Sequence, residues 1–369
     1  MRIQHLPALL ILAGSLTGLS AHTQAADFNY QGAIFTMNNA VDGNEVIVLG
    51  HRKGRLTNLG HFPTGGMGTG GGLGNQGALE LTDNLRWLLV VNAGDNTVSS
   101  LKVTPHGLKI ADVVDADGER PISVTVHHNL VYVVNAASDS IAGFRLTPYG
   151  KLKPIKHSVQ VLSSTGTGPA QIEFNPAGDT LVVTEKATNR IMTFPVNDDG
   201  VAGPGIVNPS AGVTPFGFNF DRRGHLIVTE AQGGAPDGST VSSYDIQGDG
   251  LLNAISAQVA TTETAACWVE VPRYGRFAFT ANTPSNTLTS LRIKRDGSLE
   301  LRDSDGETAH VGSQGRATDL ASSRWGDYLF ALSASTQEVY SFRITKSGGL
   351  IPVDVEGNLA ATLNGLAAF

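Results

Sequence analysis

The sequence holds one cysteine, three tryptophans and four methionines, and only 16% of its 369 residues are charged. A single cysteine excludes an internal disulfide and a cysteine-built zinc centre. Cations are in the minority: 26 Lys and Arg stand against 33 Asp and Glu, a formal charge of −7. That balance argues against nucleic acid or an anionic membrane as a partner held by a basic surface. After the N-terminal segment no apolar run approaches the roughly 20 residues a membrane-spanning helix needs. What is there is a 41% hydrophobic fraction, enough for a sizeable core, together with 44 glycines.

Residues 1–25 read as a secretory signal: Arg2 is the short positive end, Leu6–Leu19 the apolar stretch, and Thr23-Gln24-Ala25 the small-residue cleavage site. The expected mature chain, residues 26–369, is a soluble monomer in the periplasm or the medium. Cys267 is then a lone thiol in an oxidising compartment, where burial is its safe state.

The rest of the chain is repetitive. An apolar strand ending in a polar residue, a turn and a second apolar strand recur as WLLVVNAGDNTVSSLKV, VYVVNAASDSIAGFRL, LVVTEKATNRIMTFPV, FAFTANTPSNTLTSLRI and LFALSASTQEVYSFRI, with insertion-bearing copies at IFTMNNAVDGNEVIVL and LIVTEAQGGAPDGSTVSSYDI. The strand-ending residues Asn38, Asn92, Asn135, Glu185, Glu230, Asn282 and Ser333 lie 43 to 54 residues apart. Most copies are preceded by another alternating segment (GALEL, PISVTV, AQIEF, FGFNF, CWVEV, ATDLA), and several are followed by a further one such as GLKIADVV. Four short strands per repeat, seven repeats and no helical period predict an all-β, seven-bladed β-propeller forming a single domain. A closed ring also removes exposed sheet edges. The first repeat lacks an inner strand, and the terminal LNGLAAF has the pattern to supply it, so Phe369 is expected beside Phe35.

In such a blade, the loops leading into the inner strands and the ends of the second strands share one face of the disc, where loops from several blades can aim polar groups at one point. This selects Arg120, Gln171, Phe216, Trp268 and Arg316 from the loops, and Asn92, Asn135, Glu185, Glu230 and Asn282 from the strand ends. A glutamate there can activate water while an arginine binds a carboxylate or an oxyanion. The competing reading is that Asn and Asp cap turns through their own side chains and that Glu185 pairs with Lys186 or Arg190. Glu230 stands out because it interrupts a run of Asn and precedes the insertion GGAPDGS, a candidate mobile rim.

Gly65–Gly77 contains a literal G-x-G-x-x-G, but a strand follows it and no helix opens, which excludes a dinucleotide fingerprint. It reads instead as a close-packed loop or an anion nest over the channel mouth. His127 and His128 are adjacent, and neighbours on a strand point to opposite faces, so they make a poor metal pair. No metal site or cofactor is expected; calcium on Glu230, Glu185 and rim amides is allowed by ligand type alone.

The blades NPAGDTLVVTEKATNRIMTFPV, DRRGHLIVTEAQGG and RYGRFAFTANTPSNTLTSLRIKRDGSL resemble the lactonase-type seven-bladed propellers, which include 6-phosphogluconolactonases and carboxymuconate-cyclising enzymes, and the resemblance spans residues 33–369. It implies a propeller fold and, at Glu230, the acidic residue of that family. The family's basic companions are missing where this chain reads Pro169-Ala170-Gln171-Ile172 and Pro215-Phe216-Gly217, and the chain is more similar to the exported branch. The expected function is hydrolysis of a small sugar or organic-acid lactone, with Glu230 as base, Glu185 secondary, Arg120 and Arg316 on the oxyanion or carboxylate, and Phe216 and Trp268 as apolar walls. Gln171, Asn92, Asn135 and Asn282 would complete the substrate contacts. The alternative is a non-catalytic exported propeller that binds a glycan, peptide or protein.

Overall fold

A computed structural model describes residues 30–369, so the expected signal peptide, residues 1–25, lies outside the described residues. Seven antiparallel sheets follow one another around a ring. Their inner strands are Asn364–Ala368 in blade 1, then Leu79–Leu81, Pro121–His127, Pro169–Phe174, Pro215–Phe220, Ala266–Glu270 and Ala317–Ser322 in blades 2 to 7. Each sheet runs outward through three further strands, and in blades 3 and 6 the outermost is broken into two pieces. The one helical element among the described residues is a 3-10 turn at Gln232–Gly234, inside the insertion after Glu230. That insertion is a series of tight turns tied to the neighbouring loop, with Gln232 N–H donating to Val213 O at 2.9 Å and Ala231 N–H to Thr214 O at 3.0 Å.

The sequence dictates this local structure in two ways. Second strands such as Trp87–Asn92 and Phe277–Asn282 are buried along their whole length, because blades pack on both of their faces. They accordingly read as unbroken apolar runs rather than alternating ones. The turn after them is set by Asn96, Asp139, Asn189, Asn286 and Gln337, which occupy the left-handed region with φ of 44° to 62°. Asn and Asp tolerate that conformation better than other side-chain-bearing residues.

Ring closure is as expected. The C-terminal strand pairs antiparallel with Gly32–Met37, Phe35 lying opposite Ala367, and the Phe35 and Phe369 rings stack with centroids 6.1 Å apart. The seam is packed like the rest of the molecule: Ile34, Ile47 and Leu49 share one buried cluster with Phe330, Leu332 and Leu366.

Candidate functional site

The strand-ending residues form a recurring device inside the blade walls. Asn92 donates to Thr97 Oγ1 at 3.0 Å and Ser99 Oγ at 2.8 Å, and Asn282 donates to Thr287 and Thr289 at the same two distances. Asn135 reaches the Ala116 carbonyl at 3.1 Å. Glu185 accepts from the Ser163 amide and from the hydroxyls of Ser163 and Thr188, so it pairs with neither Lys186 nor Arg190. Glu230 accepts from the Gly212 amide at 3.0 Å and from the hydroxyls of Thr240 and Tyr244. All five side chains are fully buried. Burial pushes the Glu230 carboxyl above its ordinary range, against the pull of these hydrogen bonds. The common geometry is a buried polar side chain turned back onto the turn or third strand of its own blade, or onto the loop that enters that blade. It holds the turn and leaves no room for water beside the carboxylate.

The loop residues lie on the expected face but do not form one site. Arg120 and Arg316 are exposed, on blades 3 and 7, with no ion pair among the described residues. Phe216 and Trp268 do meet, ring centroids 5.0 Å apart. Lys186, not singled out by its sequence position, lies 4.9 Å above the Phe216 ring and donates to the carbonyls of Gly74 and Pro169. Burial lowers its pKa to about 8. Cys267 beside it is partly buried, and burial pushes its thiol up to about 12.

This end of the channel is closed by the glycine-rich loop. The Trp268 indole donates to Asn75 O at 2.7 Å, Asn75 donates to Ile122 O, and Gln76 forms a reciprocal pair with the Val269 backbone at 2.8 and 3.1 Å. The Gln76 amide also donates to Ala170 O at 3.0 Å and the Leu73 amide to Asn364 Oδ1 at 2.9 Å. The plug therefore ties blades 1, 3, 4 and 6 together. Glycine is required where the backbones touch: a β-carbon at Gly68 would lie 2.1 Å from the Asn39 backbone, and one at Gly217 2.7 Å from the Cys267 carbonyl oxygen. The amides of Gly66, Met67, Gly68, Thr69 and Gly70 all donate within the protein, so the loop is close-packed and no anion nest remains at these positions.

Below the plug lies a polar cavity of about 310 Å³ with Gln76 and Gly77 at its closed end and Arg273 and Arg324 at the other. Strand registers place Glu80, Thr125, Glu173, Asn219 and Glu270 at one height around it, opposite Leu89, Tyr132, Val182, Ile227 and Phe279. Gln171, expected on the rim, points into this channel and donates to Glu173 Oε2 at 2.9 Å, while Asn219 donates to Glu270 Oε2 at 3.2 Å. Asp319 stands further up the wall, 1% exposed, with Oδ2 lacking any partner.

The channel walls strip bulk water from these groups and so favour the neutral carboxyl. Burial, with Glu270 and Asp83 adding to it, pushes Glu80 up to about 8. Burial raises Glu270 to about 7 against hydrogen bonds from Ser322. Glu173 and Asp319 are held well above the usual carboxylate range, chiefly by burial. The sequence carried a signal for this ring in LEL, IEF and VEV, where a glutamate takes the same place in three inner strands.

Among the described residues no group of three His, Cys, Asp or Glu side chains is placed to hold a metal ion. The histidine pair differs from expectation: His128 leaves the strand with φ 55°, and the two rings meet edge-on at 4.3 Å.

A family model described as lactonase, seven-bladed beta-propeller, matches residues 42–165. No curated protein matches the chain. Among solved structures, a putative 6-phosphogluconolactonase from Bacteroides fragilis is 16% identical, with a TM-score of 0.66 over 92% of this chain and 98% of that one. The periplasmic gluconolactonase PpgL of Pseudomonas aeruginosa is 15% identical, with a TM-score of 0.67 over 90% and 98%. A protein from Lactobacillus plantarum is 16% identical, with a TM-score of 0.71 over 92% and 99%. The chain is thus a seven-bladed β-propeller, similar to the lactonase family in sequence over residues 42–165 and to these structures in fold over nine-tenths of its length.

Proposed function

We propose that the protein is an exported lactonase-type hydrolase that opens a small sugar or organic-acid lactone, and that the reaction takes place in the channel cavity. The observation that carries this reading is the ring of Glu80, Glu173 and Glu270 at one height around a cavity of about 310 Å³, a volume suited to one small ring. The likeness to lactonases supports the reaction class, and that to a periplasmic gluconolactonase, with the signal-like residues 1–25, supports export.

The chemistry follows from carboxyls with separated proton affinities. Glu270, the most acidic of the three, takes a proton from water as the water oxygen attacks the lactone carbonyl carbon. The ring C–O bond then breaks, and a neutral carboxyl of Glu80 or Glu173 gives its proton to the departing alkoxide. The product is a hydroxy acid. Gln171 and Asn219 hold Glu173 and Glu270 in place.

Hydrolysis by the purified mature chain in a pH-stat, on aldonolactones and muconolactones, tests this. Turnover that falls about 100-fold or more in Glu270→Gln is the expected result. Absence of turnover on every lactone would leave the binding-propeller reading, and unchanged turnover in Glu270→Gln would move the chemistry elsewhere.

A further inference from the structure

The open end of the channel carries a second repeat-encoded feature. In blades 5, 6 and 7 the inner strand turns into the second strand through Asp221-Arg222-Arg223-Gly224, Pro272-Arg273-Tyr274-Gly275 and Ser323-Arg324-Trp325-Gly326. Each turn closes with the same hydrogen bond, from Gly224 to Asp221 at 3.0 Å, Gly275 to Pro272 at 2.7 Å and Gly326 to Ser323 at 2.7 Å. Arg222, Arg273 and Arg324 therefore occupy one turn position in three consecutive blades. Blades 2 and 4 place Asp83 and Pro176 at that position, so the cations gather on one side of the mouth.

The three turns are in contact. A β-carbon at Gly275 would lie 3.2 Å from the Arg222 nitrogen, and one at Gly326 would lie 3.6 Å from the Arg273 nitrogen. The guanidinium carbons of Arg273 and Arg324 lie 5.2 and 5.5 Å from the centroid of the Trp325 ring, which holds both near the mouth. Both residues line the cavity. None of the three arginines has a carboxylate partner among the described residues, whereas Arg223 sits 4.0 Å from Asp221. In a chain with a formal charge of −7, three adjacent cations without counter-ions form an anion site.

We propose that Arg273 and Arg324, flanked by Arg222, bind the carboxylate of a compact hydroxy acid at the open mouth of the channel. Lactone opening creates a carboxylate that the substrate ring lacks, so this site holds the product as it leaves. The anion site stands on its own geometry; its role in product release rests on the lactonase reading.

Isothermal titration separates the two. Gluconate, inorganic phosphate and uncharged glucose are titrated into the mature protein and into R273A/R324A, whose exposed side chains can be removed with the thermal midpoint unchanged. The expected result is salt-sensitive gluconate binding that weakens about tenfold or more in the double variant, with no glucose binding. Phosphate binding that depends on the same arginines, without gluconate binding, keeps the anion site but overturns the carboxylate as its ligand. Equal gluconate affinity in both proteins, or no binding of either anion, overturns the site. In Glu270→Gln, gluconate affinity persists if the anion site holds even when the hydrolase reading fails.

Discussion

The indole N–H of Trp268 donates to the carbonyl oxygen of Asn75 across 2.7 Å, linking two residues 193 positions apart in the chain. A tryptophan that looks from its sequence position like an apolar wall is the anchor of a plug. With Gln76 paired to Val269, this contact turns an open ring into a chamber closed at one end.

Gln76→Ala removes a reciprocal pair and leaves the buried Val269 N–H and C=O without partners. The expected cost is about 2 kcal/mol, read as a lower denaturant midpoint at unchanged slope. An unchanged midpoint would mean that water satisfies the exposed backbone and that the plug is loosely held.

Activity on a lactone is expected to follow a bell-shaped kcat/KM profile. The ascending limb near pH 7 and the descending limb near pH 8 are those of the Glu270 and Glu80 pair, which must hold one proton between them to act. The two groups face each other electrostatically, so the limbs describe the pair. A plateau extending well above pH 9 would remove Glu80 as the proton donor and leave that part to Glu173.

Stability should respond to the same groups. Glu80 ionises near 8 in the folded chain and near 4.5 when exposed, so the folded state binds the proton more tightly. This contribution is fully present below pH 4.5 and is lost as pH rises through 8. Glu80→Gln should therefore flatten the decline and be the more stable form at pH 9. The gain is about 1 kcal/mol, well below the full linkage value because channel water screens the charge. Parallel melting curves for the two proteins across this range would refute it.

Glu230→Ala separates structure from chemistry. It leaves the Gly212 amide and two hydroxyls without their acceptor inside a blade. A loss of about 2 kcal/mol in stability is expected, with turnover per folded molecule retained. Selective loss of turnover in a protein of normal stability would restore Glu230 as the base.

Deleting residues 364–369 removes the inner strand of blade 1 and the Phe369 ring stacked on Phe35. The seam then exposes a strand edge and an apolar cluster. The shortened chain is expected to lose cooperative unfolding and to aggregate, as judged by calorimetry and gel filtration; a monomer with a single sharp transition would contradict this account of closure.

Much of the fold was legible because each blade is encoded locally. Apolar runs such as LLVV and FAFTA, each ending in a polar residue and a turn, recur often enough to count the blades. The candidate site was harder to read, since Asn92, Glu185 and Glu230 look alike as rim ligands or as turn caps until the hydroxyls of the turn and third strand are placed beside them. Glu80, Glu173 and Glu270 were visible as repeated letters, but their common height is a matter of register.

The sequence by itself determined the number of blades, their four-stranded pattern and the use of the C-terminus to close the ring, because strand period and turn chemistry act over a few residues. Only the tertiary structure decided which end of the channel is open and which carboxyls face one another. Those outcomes depend on where residues 65–77 cross the ring and on a closure that brings side chains from separate blades to one height, and neither is set by any single blade.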